Sequence, residues 1–238
     1  MKILSLECSA KTASCAITEG EKIIASAFTN AALTHSQTLM PMINGMLSSS
    51  KTDVKDIGAF AITSGPGSFT GIRIGISALK GMALAKNIPC IAVSTLNAIA
   101  YNFIDRDAIV CAVMDARCNQ VYGALFRVKN GKIKRLCEDI AENADIFKER
   151  ILKSRARCPI IIAGDGAEMF YPKVMSKKNV SKAHASLVFQ NAVGVALAAT
   201  EKYNLGDTVS AEKLLPVYLR LPQAERELKN KKEKDNLK

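Results

Sequence analysis

Tryptophan is absent from this chain, and histidine occurs only twice, as His35 and His184. The two are far apart and neither has a histidine four residues away. A helical metal site and a histidine-based triad are therefore both unsupported, and each reads as a surface or capping residue. Aromatic residues make up only 5% of the sequence, which gives little support to a base-stacking platform. No stretch approaches the roughly 20 unbroken apolar residues that a membrane helix needs, so no membrane contact is expected. Residues 1–7 read as a strand without the longer apolar region of a signal peptide, and the cytoplasm is the expected compartment. The seven cysteines are widely spaced with no Cys-x-x-Cys, which argues against a zinc knuckle or redox pair. They read as small core residues kept reduced.

Acidic residues are also scarce: 22 against 33 lysines and arginines, a formal charge of +11. Between positions 148 and 182, Lys148, Arg150, Lys153, Arg155, Arg157, Lys173, Lys177, Lys178 and Lys182 face only Glu149, Asp165 and Glu168. Arg226, Lys229, Lys231, Lys232, Lys234 and Lys238 follow near the end. Such an excess favours a polyanion such as RNA through counterion release. A solvated surface is the plainer explanation of the same residues.

What the sequence does hold is apolar bulk, 48% over 238 residues, enough for a sizeable core. Strands are expected over 2–8, 13–18 and 22–28, a helix over 34–50, a strand over 57–63, a helix over 70–86, a strand over 89–94 and a short helix ending near 103. A second series follows: strands 108–114, 120–128 and 132–138, the latter two around Asn130-Gly131, a helix over 144–153 and a strand over 159–163. Gly164-Asp165-Gly166 then turns into a short helix, and a long helix is expected over 186–203. Both series run three strands, helix, strand, glycine turn, helix. Antiparallel strands extended by parallel ones give mixed α/β sheets, and two such units make a duplicated, two-lobed ribonuclease-H-like architecture. Its lobes are expected at 1–104 and 105–222, followed by a charged tail over 223–238.

The most informative segment is Ile62-Thr-Ser-Gly-Pro-Gly-Ser-Phe-Thr-Gly-Ile-Arg-Ile-Gly75, an apolar strand feeding an apolar helix through glycines. Gly65, Gly67, Ser68, Thr70 and Arg73 are its candidate site residues. Gly65, Gly67 and Gly71 are spaced G-x-G-x-x-x-G, one residue longer than a dinucleotide fingerprint, and no lysine follows Gly71 as in a phosphate-binding loop. A nonstandard phosphate cradle and a turn for tight helix packing both remain open, with the motif favouring the turn. Along the helix, Gly71, Gly75, Ala78, Met82 and Ala85 form a small-residue stripe beside an apolar face of Ile72, Ile76, Leu79 and Ala83. Two such faces imply two packing partners. Gly75 and Gly81 each cost the helix about 1 kcal/mol against alanine, which points to a close backbone approach. The preceding helix offers Leu39, Met40, Met42, Ile43, Met46 and Leu47, more than one buried stripe requires. A subunit interface is therefore expected on Leu39, Met42, Ile43, Met46, Gly71, Gly75, Ala78 and Met82. Glu7 and Asp115 end the first strands of the two series, where such folds place magnesium or nucleotide contacts; as plain turn residues they need no ligand.

With these residues in view, the chain resembles the bacterial TsaB (YeaZ-like) family of tRNA threonylcarbamoyladenosine biosynthesis proteins, in the actin/heat-shock-70/sugar kinase superfamily. The likeness covers most of residues 1–222. It rests on residues 3–9, Thr34-His-Ser36, Leu39-Met-Pro41, the glycine segment, Met114-Asp-Ala-Arg117, Val121-Tyr122 and Leu215-Pro-Val-Tyr-Leu-Arg220. It implies a noncatalytic paralogue of TsaD that binds TsaD through the first-lobe helices, with TsaE in a larger complex and self-association as a homodimer when alone. It also implies tRNA reached through the complex or directly, no cofactor in the isolated chain, and ATP or ADP at the interface with the partner. TsaD carries a metal-binding His-x-x-x-His whose positions here fall on Thr95 and Ile99, neither of which can ligate as an imidazole does. Where the family usually has Asp-Thr-Ser, this chain has Glu7-Cys8-Ser9, which weakens a magnesium or nucleotide role there. The alternative function is an ATP-dependent phosphotransferase or metallohydrolase of the same superfamily.

Overall fold

A computed structural model describes residues 1–31 and 33–220; the expected charged tail lies outside the described residues. In chain order the first series is β1 (Lys2–Glu7), β2 (Ala13–Glu19), β3 (Lys22–Thr29), α1 (His35–Ser49), β4 (Ile57–Gly65), α2 (Phe69–Leu84), β5 (Cys90–Ser94) and α3 (Thr95–Tyr101). The second is β6 (Ala108–Asp115), β7 (Gln120–Lys129), β8 (Lys132–Arg135), β9 (Ile140–Asn143), α4 (Ala144–Leu152), β10 (Ile160–Ala163), α5 (Ala167–Phe170), β11 (Val180–Lys182) and α6 (Ala192–Asn204).

The first sheet has the order β3-β2-β1-β4-β5 and the second β11-β10-β6-β7-β8, with β9 paired to β7. In each, three strands are antiparallel and two more join in parallel beside the first of the three. β1 thus corresponds to β6, β4 to β10 and β5 to β11, and the expected duplication of a ribonuclease-H-like unit is present strand for strand.

Four expectations are corrected. The strand over 132–138 stops at Arg135, and a separate β9 follows. β11 is only three residues, Val-Ser-Lys, too short to leave a periodic signal. The last helix starts at Ala192, because Asn191 caps it by accepting from the Gly194 N–H at 3.0 Å. The preceding residues are held apart from helix, their Leu187 and Phe189 carbonyls accepting from the Asn102 amide at 3.4 and 2.9 Å. The fourth correction concerns the lobe limit. Residues 105–222 do not form one unit, because α6 packs on β1, β2, β4 and β5, and Ala211 and Leu214 join the first lobe's core.

This exchange is reciprocal. Helix α3, at the end of the first series, places Leu96, Ile99 and Ala100 among Val110, Ala112 and Phe126 of the second sheet. Helix α6, at the end of the second, places Val195, Ala198 and Ala199 against Ile3, Ala59, Ala61, Ile91 and Val93 of the first. The sheet surface under α6 is small, with Ser5, Ala16 and Ala61 in register and Ala59 two residues before Ala61, so the helix lies close. α3 and α6 also touch each other. A methyl on Gly194 would overlap the Ala98 carbonyl oxygen and reach 2.7 Å from Asn102 Oδ1. On its other face β1 buries Leu4, Leu6 and Cys8 beneath α1 and α2, so both faces of β1 are covered. No described helix is long and apolar enough to cross a membrane.

Gly194→Ala tests the crossing. An exposed helical glycine gains about 1 kcal/mol on this change. Here overpacking against Ala98 should reverse the sign and lower stability by about 1–3 kcal/mol, read from the urea midpoint at unchanged slope.

Candidate functional site

Between the lobes, the carboxy ends of β1 and β6 and the turn after β10 border a cleft of about 360 Å³, at the small end of ligand cavities. Its walls include Ser9, Lys11, Ser68, Thr70, Asp115, Arg117, Asp165 and Arg220. The glycine turn sits at its rim. Gly65 and Gly67 have φ of +132° and +156°, and a methyl on either would overlap the carbonyl oxygen of Val217 or of Ser9. The turn therefore exists so that two other backbones can approach it. Ser68 caps α2, its hydroxyl accepting from the Gly71 N–H at 3.2 Å, and its own N–H donates to the Ser9 carbonyl at 2.6 Å. Thr70 is exposed at the cleft. These contacts agree with the packing reading of the motif.

A strap over 208–220 closes one side. Val209 exchanges backbone hydrogen bonds with Cys90 at 2.8 Å, and the Val217 N–H donates to the Ser64 carbonyl at 2.8 Å. Tyr218 stacks on Phe69 with centroids 4.7 Å apart. Arg73 donates from Nε to the Tyr218 hydroxyl at 2.8 Å and lies 3.7 Å over the Phe69 ring. Arg220 donates to the Ala116 carbonyl at 2.6 Å. Arg73 thus clamps the strap through its Nε.

The sequence marked Glu7 and Asp115; the structure adds Asp165, which follows β10 as Pro66 follows β4. Asp165 was legible only through the glycines around it, once the duplication is taken strand by strand. Glu7 is fully buried. Its Oε1 accepts from the Ser9 N–H at 2.8 Å, from the Ser9 hydroxyl and from Thr63 Oγ1 at 3.4 Å, while Oε2 is covered and without a partner. Burial pushes its carboxyl up to about 8, with the Asp165 charge adding to this against the Ser9 and Thr63 hydrogen bonds. Burial and then the Asp115 charge raise Asp165 to about 6. Asp115 is exposed and accepts from the Arg117 N–H at 2.7 Å. Among the described residues no group of three or more His, Cys, Asp and Glu is placed to hold a metal. Lys11 and Arg117 are the cleft cations that an anionic ligand would meet.

The expected interface residues divide. Leu39, Ile43 and Met46 are buried in the first lobe's own core. Gly71 and Gly75 are buried too: a methyl would overlap the Cys8 carbonyl oxygen at Gly71 and the Cys8 sulfur at Gly75. These five face inward because β1 ends beneath α1 and the first turns of α2, and they are corrected as surface residues. Met42, Ala78 and Met82 are partly buried at the rim of that core. Outside it, α1 exposes Met40 and Gly45, and α2 exposes Gly81, Leu84 and Ala85. Gly45 and Gly81 have nothing within 4 Å of an added methyl. His35 donates from Nε2 to the Ala10 carbonyl at 2.7 Å, and His184 pairs with Ser186, so both are structural.

The Glu7 carboxyl gives a pH prediction. As pH rises from 4.5 toward about 8 the unfolded chain loses this proton while the fold retains it, so stability falls across that window. Glu7→Gln, which mimics the neutral acid, should remove this loss. Its stability gain over the parent should grow from pH 5 to pH 8 to at most about 5 kcal/mol, read from urea midpoints at each pH.

The family model described as "TsaD: tRNA N6-adenosine threonylcarbamoyltransferase" matches residues 27–226. The tRNA threonylcarbamoyladenosine biosynthesis protein TsaB of Bacillus subtilis is 28% identical over 229 residues, 94% of this chain and 96% of the relative. TsaB of Escherichia coli is 32% identical over 189 residues, 78% of this chain and 80% of the relative. Among solved structures, YeaZ from Pseudomonas aeruginosa aligns with a TM-score of 0.78 at 26% identity, over 92% of this chain and 99% of that one. The shared glycine-turned, two-lobed fold and these relatives together show that the chain belongs to the TsaB family.

Proposed function

We propose that the chain is a noncatalytic scaffold subunit in the formation of threonylcarbamoyladenosine in tRNA, binding and activating TsaD through the outer face of α1 and α2. The observation that carries this reading is that face itself. Two helical glycines, Gly45 and Gly81, lie bare on neighbouring helices, which also expose Met40 and Leu84 and half-cover Met42, Ala78 and Met82. Bare backbone and methionine let another helix pair approach closely and adjust to it. The same face would serve a homodimer when the partner is absent. TsaE would join the larger assembly, and ATP or ADP would sit where the two proteins meet.

The absence of chemistry from this chain has its own support. Thr95 and Ile99, which stand where TsaD has its histidine pair, are wholly buried, Ile99 in the apolar contact between α3 and the second sheet. The second reading, a phosphotransferase or metallohydrolase, draws on the cleft and its carboxylates Asp115 and Asp165. It is disfavoured because, among the described residues, no three of His, Cys, Asp and Glu are placed together to hold a metal.

Gly81→Leu and Gly75→Leu separate the outer face from the core. Gly81→Leu should keep the circular dichroism spectrum and gain up to about 1 kcal/mol in helix stability, yet abolish TsaD binding in ultracentrifugation and stimulation of tRNA modification. Gly75→Leu should unfold the first lobe against Cys8 and Ile62. Undiminished modification with Gly81→Leu, or by TsaD without this chain, would refute the scaffold reading; magnesium-dependent ATP turnover by the isolated chain would favour the enzyme.

A further inference from the structure

At the amino ends of β10 and β11, one short strand from the cleft, two segments distant in sequence lock together. Residues 153–158 run from α4 to β10 with exposure alternating along the chain: Lys153, Arg155 and Arg157 are exposed, Ser154, Ala156 and Cys158 half-buried. Every second carbonyl is gripped from one side. Lys177 Nζ donates to the carbonyls of Leu152 and Ser154 at 3.1 and 2.7 Å, and the Asn179 amide donates to those of Ala156 and Cys158 at 3.0 and 2.8 Å. The Asn179 carbonyl in turn accepts from the Ile160 N–H at 2.8 Å, where the β10–β11 ladder begins. The segment is thereby held in place, with Arg155 and Arg157 exposed along it.

Lys178 is exposed between the two gripping residues. The carboxylates nearby are engaged: Glu149 pairs with Lys153 at 3.4 Å, and Asp107 accepts from the Asn130 N–H at 2.9 Å. Among the described residues, Arg155, Arg157 and Lys178 have no carboxylate within 4.0 Å. Neither segment contains an aromatic residue, so bases could not stack there.

We infer that this rack of Arg155, Arg157 and Lys178 binds the phosphate backbone of tRNA directly. The choice of RNA over another polyanion rests on the function proposed above. The contact is sequence-independent, since guanidinium and ammonium groups without a base-stacking partner read phosphates and not base edges. It lies away from the cleft, so it positions tRNA without entering the chemistry.

The test compares full-length chains, each keeping its C-terminal residues so that their charge cancels. The triple variant R155A/R157A/K178A is set against a control of equal charge, K22A/K55A/K213A. For the chain alone, tRNA binding by fluorescence anisotropy between about 50 and 200 mM salt should show a slope of log K against log salt smaller by about 2–3 in the triple variant and unchanged in the control. With TsaD present, the triple variant should raise the KM for tRNA at least tenfold at unchanged kcat. Circular dichroism checks that each variant is folded, and R155K/R157K/K178R should restore both readouts. A triple variant with parental slope and KM overturns the rack while leaving the scaffold reading intact. Loss of stimulation by the parent chain overturns the scaffold reading instead. Binding that appears with vesicles of phosphatidylcholine and phosphatidylserine but not with tRNA overturns the RNA assignment.

Discussion

The crossing of α3 and α6 is the contact on which the two-lobed form depends. Each helix belongs by sequence to one lobe and buries its apolar surface on the sheet of the other. The crossing needs bare backbone where Gly194 meets Ala98, and small side chains on the sheet under α6. Because each lobe completes its core with a helix from its counterpart, neither can be removed without opening the other. The cleft between them is therefore a fixed feature of the packing, with its shape set by the same contacts that stabilise the molecule.

Duplication explains where the polar groups lie. β1 and β6 both end on a carboxylate, and β4 and β10 both end in a glycine turn with positive φ. The two halves have since taken different courses. On the first side Glu7 is fully buried, Gly67 receives the Ser9 backbone, and the strap from Val217 to Arg220 lines the cleft. On the second side Asp115 remains open to water.

Two surfaces remain unspent by the fold. The outer face of α1 and α2 is apolar and bare at Gly45 and Gly81, suited to another protein. The edge carrying Arg155, Arg157 and Lys178 is cationic, rigid and free of aromatics, suited to phosphates. Protein contact and RNA contact would thus be assigned to different lobes, and neither would obstruct the other.

Local chemistry was legible in the sequence. Strand and helix order and the Asn130-Gly131 hairpin follow from propensity and turn residues, because these act over a few residues. The reading of all seven cysteines as core residues holds for Cys8, Cys15, Cys90 and Cys111 and fails for Cys118, which is exposed, and for the half-buried Cys137 and Cys158. The short β9 and β11 were not legible, since strands of three or four residues draw their pairing from neighbours. The stripe of Gly71, Gly75, Ala78 and Met82 announced close packing but not with what: periodicity names a face, and only the position of β1 shows that Cys8 fills its first half. The basic residues over 148–182 likewise carried no geometry until Lys177 and Asn179 gripped the carbonyls of 152–158. Burial, the neutral Glu7 and the exchange of α3 and α6 were all decided by the tertiary structure, because each depends on atoms brought together from positions far apart in the chain.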